Sequence, residues 1–206
     1  MNANILTGTV AAVAPTLDQQ VTSSELDQAR LYLQQTRNYA IGATKGLSEA
    51  QWHFKPSPGC WSIAEIVDHM VVIQELVLGP IREQLANAPA PSANRDYKQV
   101  DAIVLNRFSV RLNKFQAPGA ALPAGQWPPA VACERLLKNY ERLTEYLEST
   151  PDLRQHVRES PPLKAVSNGA FEYMDGYQWV LATAAHTERH TKQILEVKSD
   201  PNFPAN

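Results

Sequence analysis

Apolar residues recur at spacings of three and four along four long stretches of the chain, which predicts four amphipathic helices. The first runs from about Ser24 to Gly46, with Leu26, Ala29, Leu33, Thr36 and Ala40 on one stripe. Ser24 is its expected N-cap, and Asp27 is a favourable acid in its first turn. The second opens at Ser62, where Ser62 and Glu65 form a capping box, and runs to about Ala86 with an expected kink at Pro80. Its stripe reads Ile66, His69, Ile73, Leu76. The third opens at Pro128-Pro129, a tolerated first-turn proline, and continues through Leu136, Leu137, Tyr140, Leu143 and Leu147 to about Thr150. The fourth runs from near Asp175 to about Val197 and is closed by Pro201.

No stretch alternates β-branched and polar residues over four to eight positions, so no strand is expected and the class is all-α. Loop lengths then constrain the topology. The second and third helices are separated by about 40 residues, too many for a tight helical hairpin. That interval holds an expected short helix, Tyr97 to Phe115, followed by Ala117-Pro118-Gly119 and Pro123. A connection this long can cross the bundle and leave helices two and three parallel. The other two connections suit antiparallel neighbours. The expected architecture is an up-down-down-up four-helix bundle with a long crossover between helices two and three. Residues 1–22 are expected to form a loose N-terminal arm, 23–200 one bundle domain, and 201–206 a tail.

Composition narrows the function classes. The chain has 206 residues, 44% of them hydrophobic, enough for a sizeable core without staples. Its 19 basic and 21 acidic residues nearly cancel, so no basic stripe points to nucleic acid. No run approaches the length of a membrane span. The first 20 residues are small and apolar, yet the first basic residue is Arg30, so the positive start of a signal peptide is missing. The two cysteines, Cys60 and Cys133, build neither a disulfide framework nor a zinc ribbon, which fits a reducing, cytoplasmic setting.

The chemistry concentrates in histidine. His186 and His190 are four residues apart in the fourth helix and therefore share a face. Trp179, Ala182, Gln193 and Val197 place that face inward, where a helix needs apolar side chains. His69 interrupts the core stripe of the second helix in the same way. A buried polar group without a partner costs about 1–3 kcal/mol, so three inward imidazoles require a reason. A single divalent transition ion (zinc, nickel or iron) bound by His69, His186 and His190 supplies one, with a further position open to water or substrate. The motif is not that of a zincin, where glutamate follows the first histidine directly. Glu188 lies about 200° around the helix from His186 and should be a solvated or ion-paired residue. Trp61 is expected to staple the helix start, while His53 and His156 should face solvent. Cys60 is a candidate thiol whose reactivity requires an electropositive setting. The open side of an ion held by two helices must face a cavity, for which Tyr32, Tyr39, Tyr140 and Trp127 to Pro129 are the candidate lining.

Three stretches together resemble the DinB/YfiT-like family of metal-binding helical bundles: Leu47 to Trp52, Pro58 to His69, and Ala185 to Ile194. Pieces near Ala117 to Pro123 and Thr150 to Arg154 match as well, and the likeness spans about residues 24 to 198. The resemblance implies a three-histidine metal centre at His69, His186 and His190, and frequent homodimers. It also implies a metal-dependent enzyme acting on a small molecule. Thiol-dependent S-transfer with a low-molecular-weight thiol comes first, metal-dependent hydrolysis second, and a non-catalytic metal-stabilised module third. No membrane or nucleic-acid partner is expected.

Overall fold

Helix starts in this protein are set by side chains that satisfy the orphan backbone N–H groups of a first turn. In the computed structural model, which describes residues 20–111, 117 and 119–205, three long helices open with reciprocal capping boxes. Thr22 with Glu25 starts α1 (Ser23–Thr44), Ser62 with Glu65 starts α3 (Ile63–Glu83), and Asp175 with Gln178 starts α7 (Gly176–Lys198). The cap of α1 is thus Thr22, two residues before the expected Ser24, because Thr22 has the acid three positions on. The fourth long helix, α5 (Pro129–Ser149), begins with proline at its first position. Shorter helices are α2 (Glu49–His53), α4 (Tyr97–Arg107) and α6 (Pro161–Val166). The expected helix from Tyr97 to Phe115 ends at Arg107, and its residues 112–115 lie outside the described ones, as does the arm before Gln20.

Pair contacts fix the helix directions. Tyr177 donates to the Glu25 carbonyl (3.0 Å) and Lys198 to that of Ala43 (2.9 Å), so α1 and α7 run the same way. Glu75 pairs with Arg135 (2.7 Å) and Arg82 with Glu145 (3.3 Å), so α3 and α5 also run together. Arg30 meets Glu148 (2.9 Å) while Thr36 meets Tyr140 (2.9 Å), so α1 and α5 are opposed. The result is the expected up-down-down-up bundle, with α2 in the first connection and α4 in the crossover.

Two departures matter. A short antiparallel hairpin, β1 (Val157–Glu159) with β2 (Tyr173–Asp175), joins α5 to α7, with Val157 opposite Asp175 and Glu159 opposite Tyr173. Three-residue strands are too short to show alternation, so the pattern gave no sign of them. Leu76 is 47% exposed, and α3 instead buries a broad face through Ile66, Met70, Gln74, Leu78 and Ile81. That breadth follows from its packing against both α5 and α7.

The start of α7 is anchored by a buried ionic cluster. Asp175, fully buried, accepts from Arg95 (3.0 Å) and Arg154 (3.1 Å). Arg154 also pairs with Asp101 and Glu25 and lies between the rings of Tyr97 and Tyr177. Buried guanidinium groups persist where several carboxylates and ring faces meet them. Gly176 follows Asp175 directly, and a Cβ there would come 2.6 Å from the Tyr146 hydroxyl, so the approach demands glycine. Helix α7 is packed by α1, α3, α4 and α5, and Val180 to Ala185 are all buried. No described helix is long and apolar enough to cross a membrane.

Candidate metal centre

The i,i+4 spacing sets His186 and His190 one turn apart on the side of α7 that meets α3. His69, in the second turn of α3, faces them. The three ring centroids are 4.4–5.1 Å apart, and the nearest nitrogens, Nε2 of His69 and Nε2 of His186, are separated by 3.3 Å. One nitrogen from each histidine falls within 4.8 Å of the others. His69 and His190 are buried, at 3% and 8% exposure, and His186 is half-buried.

Outer contacts decide which nitrogens face inward. His69 Nδ1 is 2.6 Å from the Ala121 carbonyl, which can only accept, so Nδ1 carries hydrogen and Nε2 keeps its lone pair. His190 Nδ1 is 2.8 Å from Gln193 Oε1, and Arg111 also donates to that oxygen at 3.2 Å. The same logic gives His190 a free Nε2. This is the arrangement by which a supporting acceptor orients a ligating imidazole. The buried Nδ1 of His186 has no hydrogen-bond partner among the described residues.

The site favours neutral rings. Burial lowers the pKa of His69, against the opposing pull of the Ala121 bond and Asp68. Burial and the neighbouring His69 push His190 down to about 3. Burial, then His190 and His69, hold His186 well below its usual value. Neutral imidazole is the form that binds a metal. Two nitrogens about 2.0–2.1 Å from one tetrahedral ion lie about 3.4 Å apart, close to the His69–His186 separation. The donor set therefore fits one divalent ion.

Trp61 lines the site, which the sequence did not reveal. Its ring is 4.9 Å from His69 and stacks on His190 at 6.4 Å and 23°. Its place directly before the Ser62 cap was the available signal. The residues expected as lining have other partners. Tyr32 donates to Glu188 (2.7 Å), Tyr140 is bonded to Thr36 within the bundle, and Tyr39 is 39% exposed. Trp127 takes the Arg135 guanidinium on its face. Tyr32 and Tyr140 serve the packing of α1 against α7 and α5, in which Glu188 of α7 faces α1 while the histidines face α3. Glu188 is paired with Lys192 (2.6 Å), as expected of an ion-pair partner. Among the described residues no carboxylate or thiolate joins the three histidines as a fourth member. Cys60 is exposed beside Ser57. His53 is exposed as expected, whereas His156 is half-buried with Nδ1 2.6 Å from the Ala88 carbonyl.

Comparison with known proteins agrees with this architecture. Residues 32–194 match the DinB superfamily. The chain is 27% identical over 155 residues to the uncharacterized protein YuaE of Bacillus subtilis (strain 168), covering 75% of this chain and 87% of that one. Its fold is similar to that of YfiT from Bacillus subtilis, with a TM-score of 0.57 and 12% identity over 95% of this chain and 97% of the other. That protein is described as a probable metal-dependent hydrolase with an unusual four-helix bundle topology. The match takes in α3 and α5 whole, parts of α1 and α7, and each of the three histidines: the chain belongs to the DinB superfamily.

Proposed function

We propose that this protein is a metal-dependent hydrolytic enzyme acting on a small molecule, with one zinc, nickel or iron ion held by His69, His186 and His190. The observation that supports it is the convergence of three imidazoles, two buried and one half-buried, two of them with Nδ1 tied outward to Ala121 and Gln193. A divalent ion in such a site acts as a Lewis acid and acidifies a water or a thiol at its open position. The chain's own residues supply orientation and exclusion of water. Ala121 and Gln193 fix the ring positions, and the Trp61 indole covers one side with an apolar wall. Glu188 is committed to Tyr32 and Lys192 and takes no proton at the site. The three-membered donor set favours an open, reactive site over a sealed structural one, which uses four protein ligands. The description of YfiT as a probable metal-dependent hydrolase supports hydrolysis over thiol transfer.

Activity of the zinc- or nickel-loaded protein on ester, amide and electrophilic test compounds, with and without an added low-molecular-weight thiol, tests this assignment. Turnover without thiol is the expected result. Strict dependence on the thiol overturns hydrolysis in favour of transfer.

A further inference from the structure

Asp68 immediately precedes the histidine of α3, and it is 2% exposed. Its Oδ2 accepts from the backbone N–H groups of Ala124 (2.9 Å) and Gly125 (3.2 Å) in the crossover. Gly125 has φ +62°, a left-handed conformation in which glycine is at ease. Three residues before Ala124, the fully buried Ala121 presents its carbonyl to His69 Nδ1. Two adjacent side chains of α3 thus hold one short segment, Asp68 by a two-pronged clamp and His69 by a single bond.

We infer that Asp68 is a positioning residue of the metal centre: its carboxylate fastens the crossover to α3, keeping the Ala121 carbonyl on His69 Nδ1 and the His69 Nε2 lone pair inward. The inference rests on the three-histidine metal centre proposed above. Without the clamp, the only bond between His69 and the segment has to order that segment by itself. The entropy of an unfastened loop opposes a single hydrogen bond of modest net strength. His69 then loses the acceptor that selects its tautomer, and ligand orientation goes with it. The other oxygen, Oδ1, is buried with no partner among the described residues. His190 supplies an internal control, since its Nδ1 is held by Gln193 of α7 and not by the segment 121–125.

Nitrogen-15 NMR of the histidine rings in the metal-free protein, together with zinc affinity by chelator competition, tests the inference on Asp68→Ala and on Ala124→Pro. The second variant removes one clamp donor from the loop side and leaves α3 untouched. In the wild type His69 should be the Nδ1–H tautomer. In each variant that folds, His69 should become a mixture of tautomers while His190 is unchanged, and zinc affinity should fall about 10–100-fold. Asp68→Asn, which keeps an acceptor oxygen, should restore the His69 tautomer. A folded Asp68→Ala or Ala124→Pro protein with the wild-type His69 tautomer and wild-type zinc affinity overturns the inference. So does equal disturbance of His69 and His190, which marks a general loss of structure. A wild type that binds no zinc, nickel or iron overturns the metal centre instead, and the tautomer comparison still decides whether Asp68 positions His69.

Discussion

Nε2 of His69 lies 3.3 Å from Nε2 of His186, although 117 residues separate the two in sequence. Two imidazole nitrogens at this distance, both on buried helix faces, are placed at a cost to the apolar packing that α3 and α7 could otherwise make. Residues that break a local rule in this way are expected at functional sites.

That cost is measurable. Replacing His186 with leucine removes a buried Nδ1 that has no partner among the described residues. The metal-free His186→Leu protein should be more stable than the wild type by about 1–2 kcal/mol, since an unsatisfied buried group costs about that much. Urea unfolding of the two metal-free proteins checks this. The same variant, and His190→Ala, should lose metal while circular dichroism still reports a helical chain, because the apolar core does not depend on an ion, unlike that of a zinc finger.

Stability of the metal-free protein should depend on pH with a definite sign. All three site histidines titrate below 6.5 in the folded chain, and His190 is pushed to about 3. An unfolded chain takes up their protons near pH 6.5. Below that pH the unfolded state therefore binds more protons, so stability is intact above about pH 7 and falls as the medium is acidified. The slope approaches about 1.4 kcal/mol per pH unit for each histidine. Urea midpoints at pH 7.5 and 5.5 should diverge accordingly, and the divergence should shrink in a His186→Leu, His190→Ala double variant.

Trp61 offers an optical reading of the site. Its ring is 4.9 Å from His69, close enough for a paramagnetic ion among the histidines to quench its emission. Nickel or copper titration should quench part of the fluorescence of the four tryptophans, and Trp61→Phe should abolish most of that quenching. Quenching of equal size in the variant would place the ion away from the three histidines.

Away from the site, Arg154 is the residue whose loss should be most costly. It is 5% exposed and serves Glu25, Asp101 and Asp175 together. Arg154→Met leaves the buried Asp175 and the part-buried Asp101 and Glu25 with fewer counter-charges. A destabilisation of about 3–5 kcal/mol is expected from breaking such a group. Denaturant unfolding at neutral pH measures it.

The four long helices were legible because each has a strong apolar period, and three of them have capping boxes at their starts. The directions of the helices followed from the length of the crossover. The histidines stood out because each interrupts an otherwise apolar surface. Other features depended on long-range contacts that no local pattern encodes. The hairpin from Val157 to Asp175 is built of three-residue strands. Leu76 was misplaced because α3 buries a face wider than one stripe. Helical aromatics such as Tyr32 and Tyr140 have the period of the core whichever surface they serve, and here they hold Glu188 and Thr36. Trp61 and Asp68 reach their roles through the loop before α3 and the crossover after it, and their spacing alone contains neither contact.

The most direct test of the metal centre is the stoichiometry and coordination of zinc in the purified protein. Titration of the metal-free chain should show one ion bound per chain. X-ray absorption of that complex should show three imidazole nitrogens at about 2.0–2.1 Å and one further, exchangeable oxygen or nitrogen ligand. Failure to bind, binding that survives replacement of His69 or His190, or a shell closed by four protein ligands would contradict the account.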